Sequence, residues 1–148
     1  MVLIIMLLGM SADLIDPFSF AEVADDGVTK TITITAGKNV ITAVLDDSKS
    51  SRDFMQMLPL IIPMKRWGDR EYYGKFSKAL SMDGKQRDYF ENGDVAYWPS
   101  GGSFALFFNE KGNPKMSSPL VILGKITSDL KIFENMGEAI EMRVELKK

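Results

Sequence analysis

The chain has 148 residues, is 45% apolar and carries a formal net charge of −2, with no cysteine and no histidine. The length and apolar content suit one domain with a full core, and the near-neutral charge draws it toward neither nucleic acid nor an anionic membrane. The missing residue types exclude disulfides, thiolate nucleophiles, Ser-His-Asp chemistry and the usual zinc sites, so any catalysis falls to carboxylates, Lys, Arg, Tyr, Ser or backbone groups.

Val2 to Met10 is an apolar run followed by Ser11 and Ala12. It is too short to span a bilayer as a helix, so no integral membrane span is expected. Two readings stand. It is the remnant of an export signal, although it lacks a basic leader, or it is a packing segment through which a homo-oligomer forms. A cytoplasmic location is the expectation, with export as the alternative. Residues 1–28 are set apart as this segment and a linker, and residues 29–148 as the domain. Asp25-Asp26 within the linker reads as a solvated turn rather than a cation site.

Thr29 to Thr35 and Val40 to Leu45 alternate apolar and polar residues around Ala36-Gly37-Lys38-Asn39, which predicts an antiparallel hairpin. Ser50-Ser51-Arg52-Asp53 fits a capping pattern, which starts a helix from about Ser51 to Leu58 with Phe54 and Leu58 on one face. Pro59 ends it. A Ser48-Lys49 nucleophile couple lacks any oxyanion signature. Leu60 to Met64 is a short strand, Lys65 to Asp69 a turn, and Arg70 to Tyr73 a strand. Gly74 to Gln86 reads as a surface excursion with a short helical turn.

Gly93 to Phe108 organises the chain: strand, turn, strand. Pro99-Ser100-Gly101-Gly102 is turn chemistry between Asp94–Trp98 and Ser103–Phe108. The second run has no polar alternation, so both its faces must be covered, as in the wall of a small closed barrel. Asn109 to Ser118 is a polar loop. Leu120 to Ile126 is a buried strand, Ser128 to Met136 a short helix stopped by Gly137, and Ile140 to Leu146 a strand with one wet face. The pattern predicts a mostly β fold: an antiparallel barrel of about eight strands with two short helices.

Several of these segments resemble known ones. Leu120-Val121-Ile122-Leu123-Gly124-Lys125-Ile126 followed by Leu130, Ile132, Phe133-Glu134 and Met136 is similar to the end of a cyclophilin. Asp53-Phe54, Leu58-Pro59-Leu60, Arg70-Glu71-Tyr72, Gly93-Asp94-Val95-Ala96-Tyr97-Trp98-Pro99 and Leu123-Gly124-Lys125-Ile126 resemble, in order, the marks of a bacterial family of cyclophilin-like proteins. The resemblance spans about residues 29 to 147 and implies a closed cyclophilin-like barrel.

It does not imply the cyclophilin reaction. The catalytic arginine of cyclophilins, read within Arg-Ile-Ile-Pro, meets leucine in Leu60-Ile61-Ile62-Pro63. The family's histidine falls on Leu120 and its tryptophan near Lys115. That arginine acts on the twisting prolyl amide, an interaction made mainly in the transition state. Little or no isomerase activity is therefore expected. The expected function is a groove for a peptide or small apolar ligand, lined by Trp98, Pro99, Phe104 and Leu106 and edged by Arg70 and Glu71. The alternative is a prolyl isomerase with Arg70 or Arg66 as donor. Core packing is the competing reading for the apolar side chains, and a surface ion pair for Arg70 and Glu71. No cofactor is expected, because neither a P-loop nor Gly-x-Gly-x-x-Gly occurs. Nucleic acid is not expected either, since basic residues cluster only as Lys65-Arg66 and Lys147-Lys148.

Overall fold

A computed structural model describes residues 30–148. Val2 to Met10 and Asp25-Asp26 lie outside the described residues. Among the described residues nine strands are present: β1 (Lys30–Ala36), β2 (Asn39–Leu45), β3 (Leu60–Trp67), β4 (Glu71–Lys75), β5 (Lys85–Tyr89), β6 (Asp94–Trp98), β7 (Ser103–Phe107), β8 (Lys115–Ile126) and β9 (Ala139–Leu146). They run in the order β2-β1-β9-β3-β4-β7-β6-β8, and β2 pairs back onto β8 to close an eight-stranded antiparallel barrel. Closure removes the open edges at the β2–β8 seam, where unpaired strands would invite aggregation.

The twelve-residue β8 makes both closure and an extension possible. Its Gly124–Ile126 end pairs with β2, while the residues from Lys115 to Ile122 pair with β5. β5 is thus a ninth strand beside the barrel. Its sequence, Lys-Gln-Arg-Asp-Tyr, has no apolar alternation because it stays mostly exposed. The helical turn expected between Gly74 and Gln86 does not form: β4 runs to Lys75, β5 starts at Lys85, and the residues between them are irregular.

Alternation decides the barrel interior. Ile32, Ile34, Ile41, Ala43, Leu45, Ile62, Met64, Val95, Phe104, Leu106, Met142 and Val144 all point inward and are buried. Burial of each large apolar side chain contributes about 1.5–3 kcal/mol against the entropy of ordering the chain. Helix α1 (Lys49–Met55) stacks Phe54 on Phe104 with ring centroids 5.1 Å apart. A 3-10 turn (Leu130–Phe133) stacks Phe133 on Phe108 at 5.0 Å. Phe104 and Phe108 sit four residues apart along one extended run, about 13 Å, so the two elements cap opposite ends.

Local signals shifted where tertiary contacts intervene. The cap of α1 is Ser48, whose hydroxyl accepts from Ser51 N at 3.1 Å. Ser50 instead donates to Ser81 O at 2.6 Å, and Asp53 accepts from Ser81 N at 2.9 Å. The helix ends at Met55, and Leu58, expected to be buried, is half-buried. The second helix shrinks to one 3-10 turn with Asp129 as its cap. β3 runs on to Trp67, so the turn moves to Gly68-Asp69-Arg70, and β8 begins within the loop expected after Asn109.

Candidate functional site

The outer face of β6, β7 and β8 carries a second apolar cluster: Phe90, Ala96, Ala105, Phe107, Leu120 and Ile122. Those on the strands alternate with the inward residues, because successive strand residues face opposite sides. Phe90 follows β5 and stacks on Phe107 with centroids 4.3 Å apart. Covering this face explains why the run from Ser103 to Phe108 lacks polar alternation.

Beside that cluster lies an open cleft of about 330 Å³, lined by Trp67, Arg70, Glu71, Tyr73, Trp98, Ser103, Phe107, Lys115, Met116 and Ser117. The β3–β4 turn builds one wall. Arg70 N donates to Trp67 O at 3.1 Å, and Gly68 adopts φ +55, a conformation that suits glycine. Trp67 is 59% exposed and meets Tyr73 edge-on at 6.3 Å. Trp98 forms the facing wall, its indole N–H donating to Ser118 Oγ at 2.8 Å.

Arg70 precedes β4 and so escapes the alternation that would point it away from Glu71. Phe108 N and Asn109 N both donate to its carbonyl, at 3.0 and 3.3 Å, which pins the turn. Its Nε donates to Glu71 Oε1 at 2.6 Å, and its guanidinium carbon stands 5.1 Å from the centre of the Phe90 ring. The Glu71 side chain is 9% exposed and that of Arg70 is 28% exposed. Burial pushes the Glu71 carboxyl above the usual carboxylate range, and the Arg70 charge and hydrogen bond offset only part of this.

The structure therefore gathers Arg70, Glu71 and Trp98 at one cleft. Phe104 and Leu106 belong to the barrel core, fully buried on the opposite face of β7. Pro99 sits in the turn after β6 and is not among the lining residues. Sequence reasoning missed Trp67, Tyr73, Phe107, Met116 and the polar liners. Trp67 gave a usable signal, an aromatic beside a Gly-Asp turn. Phe107 gave none, because either parity of a wholly apolar run could face inward.

Arg66 is committed elsewhere. It donates to Phe133 O at 2.6 Å and to Tyr72 Oη at 3.1 Å, at the end of the barrel closed by the 3-10 turn. A second depression there, about 480 Å³, has a mainly charged lining, and Arg66 and Lys111 converge on Asp69. Leu60, which the resemblance to cyclophilins sets at their arginine position, is half-buried, and Leu120, which it sets at their histidine position, is fully buried in the outer cluster. Among the described residues there is no group of three or more carboxylates placed to hold a metal ion, and no helix long and apolar enough to cross a membrane.

The model of the Cyclophilin-like family matches residues 34–146. The solution structure of a hypothetical protein from Archaeoglobus fulgidus superposes with a TM-score of 0.67 at 24% identity, covering 82% of this chain and 97% of that one. At that identity the likeness speaks for the fold. No curated protein matches the chain.

Proposed function

The chain belongs to the Cyclophilin-like family, and from that premise we propose that it is a binding module for a peptide or small apolar ligand, with little or no prolyl isomerase activity. The observation that carries this reading is the cleft on the outer wall of the barrel. Trp67, Tyr73, Trp98, Phe107 and Met116 supply apolar surface, and Arg70 and Glu71 supply a few convergent polar groups. That combination is what small-ligand sites share. Most of the wall residues stand on strands of a closed barrel, which lowers the ordering cost at binding.

Soaking with a panel of capped proline-containing peptides and apolar small molecules, followed by tryptophan fluorescence, tests the reading. Both tryptophans of the chain line the cleft, so occupancy should give a saturable change. No saturable change across the panel would overturn it.

Isomerase chemistry is the second reading, favoured by one observation: Arg70 is a guanidinium at the edge of an aromatic cleft. Its Nε is already engaged by Glu71, and leucine stands at the cyclophilin arginine position. The expected rate in a protease-coupled peptide assay is that of buffer, and acceleration that disappears in Arg70→Ala would establish the second reading. An oligomeric role for Val2 to Met10 is a separate proposal. Deleting the segment should lower the size-exclusion class beyond the lost mass, and an unchanged class would remove it.

A further inference from the structure

The cleft reading can be taken one step further, to the chemical class of the ligand. Among the described residues, Arg70 uses Nε on Glu71 Oε1, and its Nη2 has only the Met116 sulfur at 4.0 Å. Neither Nη atom meets an oxygen acceptor among the described residues. Glu71 Oε2 likewise has no donor among the described residues, although the side chain is only 9% exposed. The pair thus presents unused N–H donors beside an unused carboxylate lone pair, in a cleft walled by rings and a thioether. Among the described residues, the one other charge lining the cleft, Lys115, is paired with Asp88 at 2.9 Å. The local charge sum is zero.

We infer that the Arg70–Glu71 pair reads a neutral amide group of the ligand, the amide oxygen accepting from an Arg70 Nη and the amide N–H donating to Glu71 Oε2. A charged ligand group could satisfy one half of the pair but would oppose the other. An anion faces Glu71 and a cation faces Arg70, each next to apolar walls that screen poorly. An amide satisfies both halves and brings no net charge into the cleft. The inference rests on the cleft being the binding site, and it goes beyond that reading by excluding carboxylate and amine ligands of the same shape.

Three probes with one apolar body test it: 3-phenylpropanamide, 3-phenylpropanoate and 3-phenylpropylammonium. Each is titrated at neutral pH into the full chain while the two indole N–H resonances are followed by NMR. The amide should bind at least about tenfold more tightly than either ion, the scale of one hydrogen bond to a charged group. Glu71→Gln keeps the shape but leaves Arg70 as an uncompensated cation, so this variant should shift its preference toward 3-phenylpropanoate. Indole shifts without a charge preference, or with a preference for an ion in the native chain, would overturn the inference and leave the cleft standing as a site. No indole shift with any probe would overturn both. The comparison of three probes on the native chain needs no variant to fold.

Discussion

Arg70 and Glu71 are neighbours in the chain, yet both face one cleft, joined Nε to Oε1 at 2.6 Å. An exposed ion pair would be worth about 0–1 kcal/mol, but this one has a buried acid. Arg70→Ala strands the Glu71 carboxylate without its donor. The expected cost at neutral pH is about 1–3 kcal/mol, measured by urea unfolding, and affinity for any ligand of the cleft should fall by about 1.5–3 kcal/mol. Adding Glu71→Gln to Arg70→Ala should recover part of the stability, since no buried charge then remains unpaired. A change in stability below the error of the urea curves would mean an ordinary surface pair. Unchanged affinity for a confirmed ligand would remove Arg70 from the site.

The raised carboxyl of Glu71 has its own pH signature. Its ordinary value is 4.5, and the folded state holds the proton more tightly than the unfolded chain does. Between those two values the folded state binds more protons, so this group's contribution declines as pH rises through the raised value. Asp69, Asp88 and Glu91 act in the opposite sense. Hydrogen bonds from Lys111, Lys115 and Lys125, respectively, lead in lowering them, and their contributions are lost as pH falls through the lowered values. Comparing native protein with Glu71→Gln cancels the latter group. The variant should gain stability relative to the native chain as pH increases from about 4.5 upward, and a difference that does not vary with pH would contradict a desolvated Glu71.

How far the sequence could be read depended on whether one face of each element was wet. Ile140 to Leu146 alternates cleanly because its outer residues meet water, and β9 appears there. The Ser103–Phe108 run is covered on both sides, inside by the barrel core and outside by Phe90 and Leu120. Its strand character was legible but its parity was not, which is why Phe104 and Leu106 were expected at the groove where Ser103 and Phe107 stand. β5 was illegible for the opposite reason: it is nearly all exposed and is held by ladder bonds to β8 and by charge pairs. The helix cap lay among three serines, and contacts with Ser81 and Asp83, some 30 residues on, decided between them.

Gly124 marks the point of barrel closure. It pairs with Leu45 of β2, and a Cβ built there would stand 2.8 Å from the Leu45 Cα and press on the Val44 carbonyl. Both obstacles are backbone, so rotamer changes cannot relieve them. Gly124→Ala should cost about 3 kcal/mol or more, the upper end of overpacking penalties. Hydrogen exchange should locate the damage at Ala43–Leu45 and Gly124–Ile126. A melting curve within error of the native chain would show that β2 and β8 can separate there without loss.

Asp94 anchors the ninth strand. Its carboxylate is buried and accepts from Lys125 Nζ at 2.8 Å, Arg87 Nη2 at 3.2 Å and Glu91 N at 2.7 Å. Arg87 belongs to β5, which among the described strands pairs only with β8, so this contact is a further tie between β5 and the barrel. Asp94→Asn keeps the shape but leaves the buried Arg87 guanidinium with only the exposed Glu91, 3.6 Å away, as counter-charge, so the loss should approach that of breaking a buried pair from one side, about 3–5 kcal/mol. Arg87→Met added to Asp94→Asn should restore part of that loss. The effect should also reach the cleft. Phe90, directly after β5, is the ring against which Arg70 rests, so loosening β5 frees Arg70 from its backing. Amide exchange should therefore rise first across Lys85–Phe90, and cleft affinity should fall although Asp94 lines none of it. Exchange that rises evenly over the whole barrel, with affinity unchanged in the fraction still folded, would show that β5 and the cleft are independent.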